Sequence, residues 1–179
     1  MLQACTNNQS ANTDSGTDTS SSEITQAVSD PSDTVSTDLN EFTLKAASGG
    51  MMEVQLGQIA KQNAKSSRVK NFGAMMINDH TTANNELKAL ATQKNITIPT
   101  SLDPDHQKHI DDLRKRTGDD FDQHYIDMME KDHKEDIDLF EKASQDSKDP
   151  EIKAFAAKTL PVLRVHLDSV QAIRKSIKK

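Results

Sequence analysis

Glu53, His80, His133 and His166 are the residues of this sequence best suited to chemistry, because each interrupts an otherwise apolar helical stripe. One carboxylate and three imidazoles supply the oxygen and nitrogen donors that divalent transition metals take. Such groups are costly to bury without partners, so at core positions they must hold an ion or satisfy one another. Asp79 and Asp132 adjoin two of the histidines, as further ligands or as acceptors that orient the rings. Glu130, Met76 and Met129 lie one helical turn before a histidine and complete the outer set. Zinc, iron, manganese or copper would each suit such a site. One ion is expected rather than two: the Glu-x-x-His of a di-iron bundle is met by Glu130 and His133, but Ile77 stands where its counterpart before His80 should be. A cluster that satisfies itself without metal is the competing reading, and it makes the chain a structural or interaction module.

The elements that must position these residues follow from apolar spacing at steps of three and four. A first helix over about 41–65 aligns Phe42, Ala46, Gly49, Glu53, Leu56, Ala60 and Ala64. A second, about 67–94, aligns Val69, Phe72, Met76, His80, Ala83, Leu87 and Leu90. A third, about 119–145, carries Ile126, Met129, His133, Ile137 and Phe140, and a fourth, about 151–177, carries Ile152, Phe155, Thr159, Leu163, His166, Val170, Ile173 and Ile177. Each of the four polar residues falls within about one turn of its helix midpoint. In an aligned bundle midpoints share one level, so the four side chains converge.

Short links at Ser66-Ser67 and at residues 146–150 make two antiparallel hairpins. Asp149-Pro150 reads as an N-cap followed by proline at the first helical position. The link from Asn95 to Gly118 is longer and holds a short helix opened by Asp103-Pro104. It can return locally or travel the bundle's length, as ferritin-like folds do. Pro161 should kink the fourth helix. The expected fold is all-α: a ferritin-like four-helix bundle over residues 40–179 behind a disordered tail over residues 1–39.

Composition narrows the function classes. The 179 residues carry a net charge of −6, with 34% apolar and 3% aromatic residues. Six acids and no Lys or Arg occupy the first 40 residues, which leaves 22 acids against 22 bases in the rest. A near-neutral domain with an acidic tail lacks the footprint of a nucleic-acid binder. No apolar run approaches the ~18 residues that cross a bilayer. No phosphate-binding glycine loop and no Ser-His-Asp or Cys-His set can be drawn, so an enzyme is not expected. His106 and His109 suit the solvated face of the short helix, and the three Met-Met pairs suit gap-filling in a core poor in aromatics.

Leu2-Gln3-Ala4-Cys5, followed by Ser, Thr, Asn and Asp, resembles the end of a bacterial lipoprotein signal. Cys5 is then the lipidated residue and the tail a tether. Taken in order, Phe42, Gly50-Met51-Met52-Glu53-Val54, Met76-Ile77-Asn78-Asp79-His80, Ile98-Pro99, Phe121-Asp122 with Tyr125, Asp132-His133 and Leu160-Pro161 with His166-Leu167 resemble domain of unknown function 4142 (DUF4142). That family is bacterial, ferritin-like and often labelled as outer membrane proteins. The resemblance spans about residues 40–177 and implies an envelope location and a ferritin-like fold. With the lipid anchor on Cys5 the expected place is the periplasmic face of the outer membrane, with the membrane and envelope proteins as partners. The resemblance implies no reaction.

Overall fold

The computed structural model describes residues 31–177, all in or between five helices: α1 (Pro31–Asn63), α2 (Ser67–Gln93), α3 (Pro104–Arg114), α4 (Gly118–Asp146) and α5 (Pro150–Ile177). Cys5 lies outside the described residues. The four long helices are the expected ones, and all ends but one agree within two residues. The exception is α1, which begins at Pro31 instead of 41. The dipeptide Asp30-Pro31 has the same residue types as the two Asp-Pro starts recognised downstream. α5 runs unbroken through Pro161.

Both Asp-Pro starts behave as caps. Asp103 accepts from the amides of Asp105 and His106, and Asp149 Oδ1 from those of Glu151 and Ile152. The start of α2 has no such cap of its own. Instead the buried Asp122 of α4 accepts from the amides of Lys65 and Ser66, fixing the α1–α2 turn to α4.

The crossover travels the full length of the bundle. Asn63, at the end of α1, donates from Nδ2 to the carbonyls of Arg114 and Arg116, which places the start of α4 beside the end of α1. At the opposite end Lys94, just after α2, pairs with Asp149 and Glu151 at the start of α5. α2 and α4 therefore run in the same direction, and α3 packs along α1 and α4 on its way back. Gly118 turns this strap into α4 with φ +64°, where a side chain would be strained.

The α1–α2 hairpin is unusually close. A Cβ on Gly57 would stand 2.6 Å from the Gly73 carbonyl oxygen, so the two glycines let backbone meet backbone.

The interior is two apolar clusters stacked along the bundle. One gathers Leu56, Phe72, Met76, Tyr125, Ile126, Met129 and Val170 with others. The second centres on Phe42, Phe140 and Phe155, whose rings meet at centroid distances of 5.1–6.5 Å. Between these clusters lies a polar layer.

Candidate metal centre

Four helices each contribute one side chain to this layer. Glu53 comes from α1, His80 from α2, His133 from α4 and His166 from α5, and none is more than 6% exposed. Helical spacing puts each on an inward stripe, and the full-length crossover brings the stripes to one height. The three histidines offer ring nitrogens that all lie within 4.8 Å of one another. Their ring centroids are 5.2–5.7 Å apart.

The bonds around the rings have a definite order. His133 Nδ1 is 2.9 Å from the Met129 carbonyl, an acceptor, and its Nε2 is 3.2 Å from His166 Nδ1. His166 Nε2 in turn lies 2.9 Å from Asp79 Oδ2. These three contacts would use three hydrogens, yet two neutral imidazoles carry only two. With the outer hydrogens given to Met129 and Asp79, two lone pairs face each other at 3.2 Å. Burial supplies no extra proton, since it pushes His133 down to about 4 and lowers His166 as well.

His80 repeats the theme. Its Nδ1 is 2.8 Å from Glu53 Oε2, although the ring N–H is not in line with the oxygen, and its Nε2 has no partner among the described residues. Burial pushes this ring down to about 4 too. Glu53 Oε1 is 3.5 Å from His133 Nδ1, so the carboxylate stands against the outer nitrogens of two rings.

Asp136, three residues after His133, is a site residue that spacing did not single out. It lies among the acids of a helix face that reads as solvated, yet it lines the same small recess as Glu53 and His80. Both Glu53 oxygens are buried with no hydrogen-bond partner among the described residues. Burial pushes both carboxyls upward; the Glu53 charge raises Asp136 further, and the Asp132 charge raises Glu53. The Tyr125 hydroxyl is likewise fully buried with no partner among the described residues.

The outer set divides. Asp79 does orient a histidine, but His166 across the bundle rather than its neighbour His80; bonds from His166 and Asn78 outweigh burial and hold its carboxyl low. Asp132 is half-buried with Oδ2 unpartnered among the described residues, and burial pushes it up to about 7. Glu130 turns away to Arg174 and Lys134. Met76 and Met129 belong to the apolar cluster next to the layer.

One further grouping escaped the sequence. Ser48, Asp103 and His106 do meet, through the strap. The Ser48 hydroxyl donates to Asp103 Oδ2 at 2.7 Å. His106 Nδ1 lies 2.8 Å from that hydroxyl, whose hydrogen is already used, and 2.7 Å from the same Asp103 oxygen, so the ring nitrogen is the donor. A histidine that donates to the serine cannot take its proton, so this is no nucleophilic relay.

Fold and layer together define a ferritin-like bundle with a buried histidine triad. The chain belongs to the DUF4142 family, a domain of unknown function whose model matches residues 25–173. Two solved structures share the fold. A DUF305 fragment from Deinococcus radiodurans superposes with a TM-score of 0.68 at 9% identity, covering 78% of this chain and 96% of that one. CopM in its Cu(I)-bound form does so with a TM-score of 0.65 at 15% identity, covering 76% and 95%. No curated protein matches the chain.

Proposed function

We propose that the layer binds one transition-metal ion through His80 Nε2, His133 Nε2 and His166 Nδ1, and that the protein serves metal handling or stress resistance in the bacterial envelope. The observation that carries this reading is the missing hydrogen between His133 and His166. Two nitrogens on one tetrahedral ion stand about 3.3 Å apart at ordinary metal–nitrogen lengths. The 3.2 Å contact needs little adjustment to reach that. The outward nitrogens support it too, since ligating histidines usually give their other N–H to a carbonyl or carboxylate. Met129, Asp79 and Glu53 stand at those places. Glu53 then acts behind the ligands, setting the His80 ring and balancing the ion's charge. Imidazoles suit zinc, copper and iron, and the Cu(I)-bound CopM favours copper among them.

Attachment to the outer membrane by lipid on Cys5 completes the proposal. Among the described residues no helix is long and apolar enough to cross a bilayer. Mass spectrometry of full-length protein purified from membranes tests this through the mass of the N-terminal peptide. An unmodified Cys5 rejects it.

One observation favours a second reading. A single extra proton on His166, facing the Asp79 carboxylate, would complete all three contacts without metal. The layer would then only fix the fit of the two hairpins. Elemental mass spectrometry on protein purified without chelators or an affinity tag separates the readings. Binding predicts one ion per chain that disappears in His133→Ala; no ion, even after incubation with zinc, copper, iron and manganese, leaves the structural reading.

A further inference from the structure

The layer is closed along the bundle axis by the two apolar clusters, so an ion must arrive from the side. Two recesses adjoin it. The inner one is small and lined by Glu53, His80, Asn84, Asp136 and Thr159 among apolar side chains. The outer one is a groove between α1, α4 and the strap, lined by Gly49, Asp103, Asp132, Glu135 and Asp136 among others. Asp136 alone lines both.

Gly49 leaves the wall of the outer groove without a side chain beside Asp136. It lies one turn before Glu53 on α1, and a Cβ built on it would touch only Asp136 Oδ1, at 3.7 Å. The next residue differs sharply, since a Cβ on Gly50 would run into the Asn84 side chain at 2.1 Å. Gly50 is needed for packing, whereas Gly49 leaves space beside a carboxylate. The acidic lining alone would say little, because acids often cover helices for solubility. What gives it a destination is the inner end, where Glu53 is 1% exposed and His80 6% exposed, with both Glu53 oxygens and His80 Nε2 unpartnered among the described residues.

We propose that a transition-metal cation reaches the histidine layer through this groove, passing Gly49 and handed by Asp136 to Glu53. The proposal rests on the metal-binding reading above and adds the route. Asp103, Asp105, Asp132 and Glu135 outnumber Lys45 on this lining, and the net negative mouth concentrates cations. Asp136 offers an oxygen to an ion that is leaving water before the imidazoles take it. The strap, which holds Asp103 at the far rim, gives the groove its second wall.

The test is kinetic and uses Co(II), whose visible absorption reports nitrogen ligation. Gly49→Leu puts a side chain into the passage and replaces a poor helix former by a good one, so the bundle should melt no lower than wild type. Co(II) loading, and its removal by a chelator, should both slow by about tenfold while the equilibrium affinity stays unchanged. Asp132→Asn with Glu135→Gln should slow loading at low salt, with the difference fading as salt rises. Loading at the wild-type rate in Gly49→Leu overturns the route and leaves the site intact. Wild-type protein that takes up no Co(II) at equilibrium overturns the binding reading itself.

Discussion

Histidine meets carboxylate both at the rim of this bundle, at His106 and Asp103, and in its interior, at His166 and Asp79. At the rim, His106 donates to Ser48 and Ser48 to Asp103, so each in-line contact has its own hydrogen. Water can reach this group, since the His106 side chain is 27% exposed. In the interior, Met129, His133, His166 and Asp79 form a longer chain with an acceptor at each end, and neutral rings leave it one hydrogen short. The residue types are nearly the same. The difference is a count of protons against contacts, together with burial that makes an extra proton expensive. A cluster that closes on itself stabilises a fold; one that does not close invites a cation.

The largest effect that could break this contrast is a pair of single substitutions. His133→Ala should remove the bound ion completely and abolish the lowering of Tm by chelators, since a ligand stabilises only the state that binds it. His106→Ala should leave metal content and chelator response as in wild type. Calorimetric melting with and without chelator reads both. Equal loss in the two variants would erase the distinction.

Next in size is the effect of making the interior apolar. Glu53→Leu, His80→Leu, His133→Phe and His166→Leu combined should raise the stability of the metal-free protein by about 1–4 kcal/mol, because buried charged networks are often less stabilising than apolar packing. Urea unfolding measures it. A fall would mean that the layer closes without an ion.

Acid and base act on the layer in opposite senses. His80 and His133 have folded values of about 4, below their ordinary 6.5. Their share of stability is therefore complete above 6.5 and lost as pH falls through 4. Asp132 is raised from 3.8 to about 7, so its share is complete below 3.8 and lost as pH rises through 7. Asp132→Asn removes only the second contribution. It should raise the Tm of the metal-free protein at pH 8 by several degrees, with the gain vanishing towards pH 4. A gain independent of pH would mean that Asp132 is ordinary in the folded state.

The smallest effect belongs to the rim. Ser48→Ala deletes one link of a satisfied group and should cost about 0.5–1.5 kcal/mol in urea unfolding, with metal affinity unchanged.

Much of this arrangement was legible in the sequence. The stripes carrying Glu53, His80, His133 and His166 follow from helical periodicity, and equal depth follows from helix length for the three histidines. Glu53 lies past the midpoint of α1, because that helix begins at Pro31 rather than 41. The direction of the strap was not legible, because it is settled by Asn63 meeting Arg114 and Arg116, more than a dozen turns of chain away. Asp136 was hidden in an acidic run whose members look alike until α1 packs beside one of them. The exchange that gives Asp79 to His166 rather than to His80 depends on how α2 and α5 are rotated against each other, which spacing does not encode. Ser48, Asp103 and His106 come from a helix and a connecting segment, and no periodic pattern links them.

The two hairpins divide the layer evenly: Glu53 and His80 belong to the first, His133 and His166 to the second. An ion held there spans the seam between halves that the chain otherwise joins only through its strap and their packing. In a protein with a single cysteine, far from the seam in sequence, such an ion is a cross-link made of coordination bonds. Unlike a disulfide it closes and opens with the concentration of free metal, so the rigidity of the whole molecule would follow its supply.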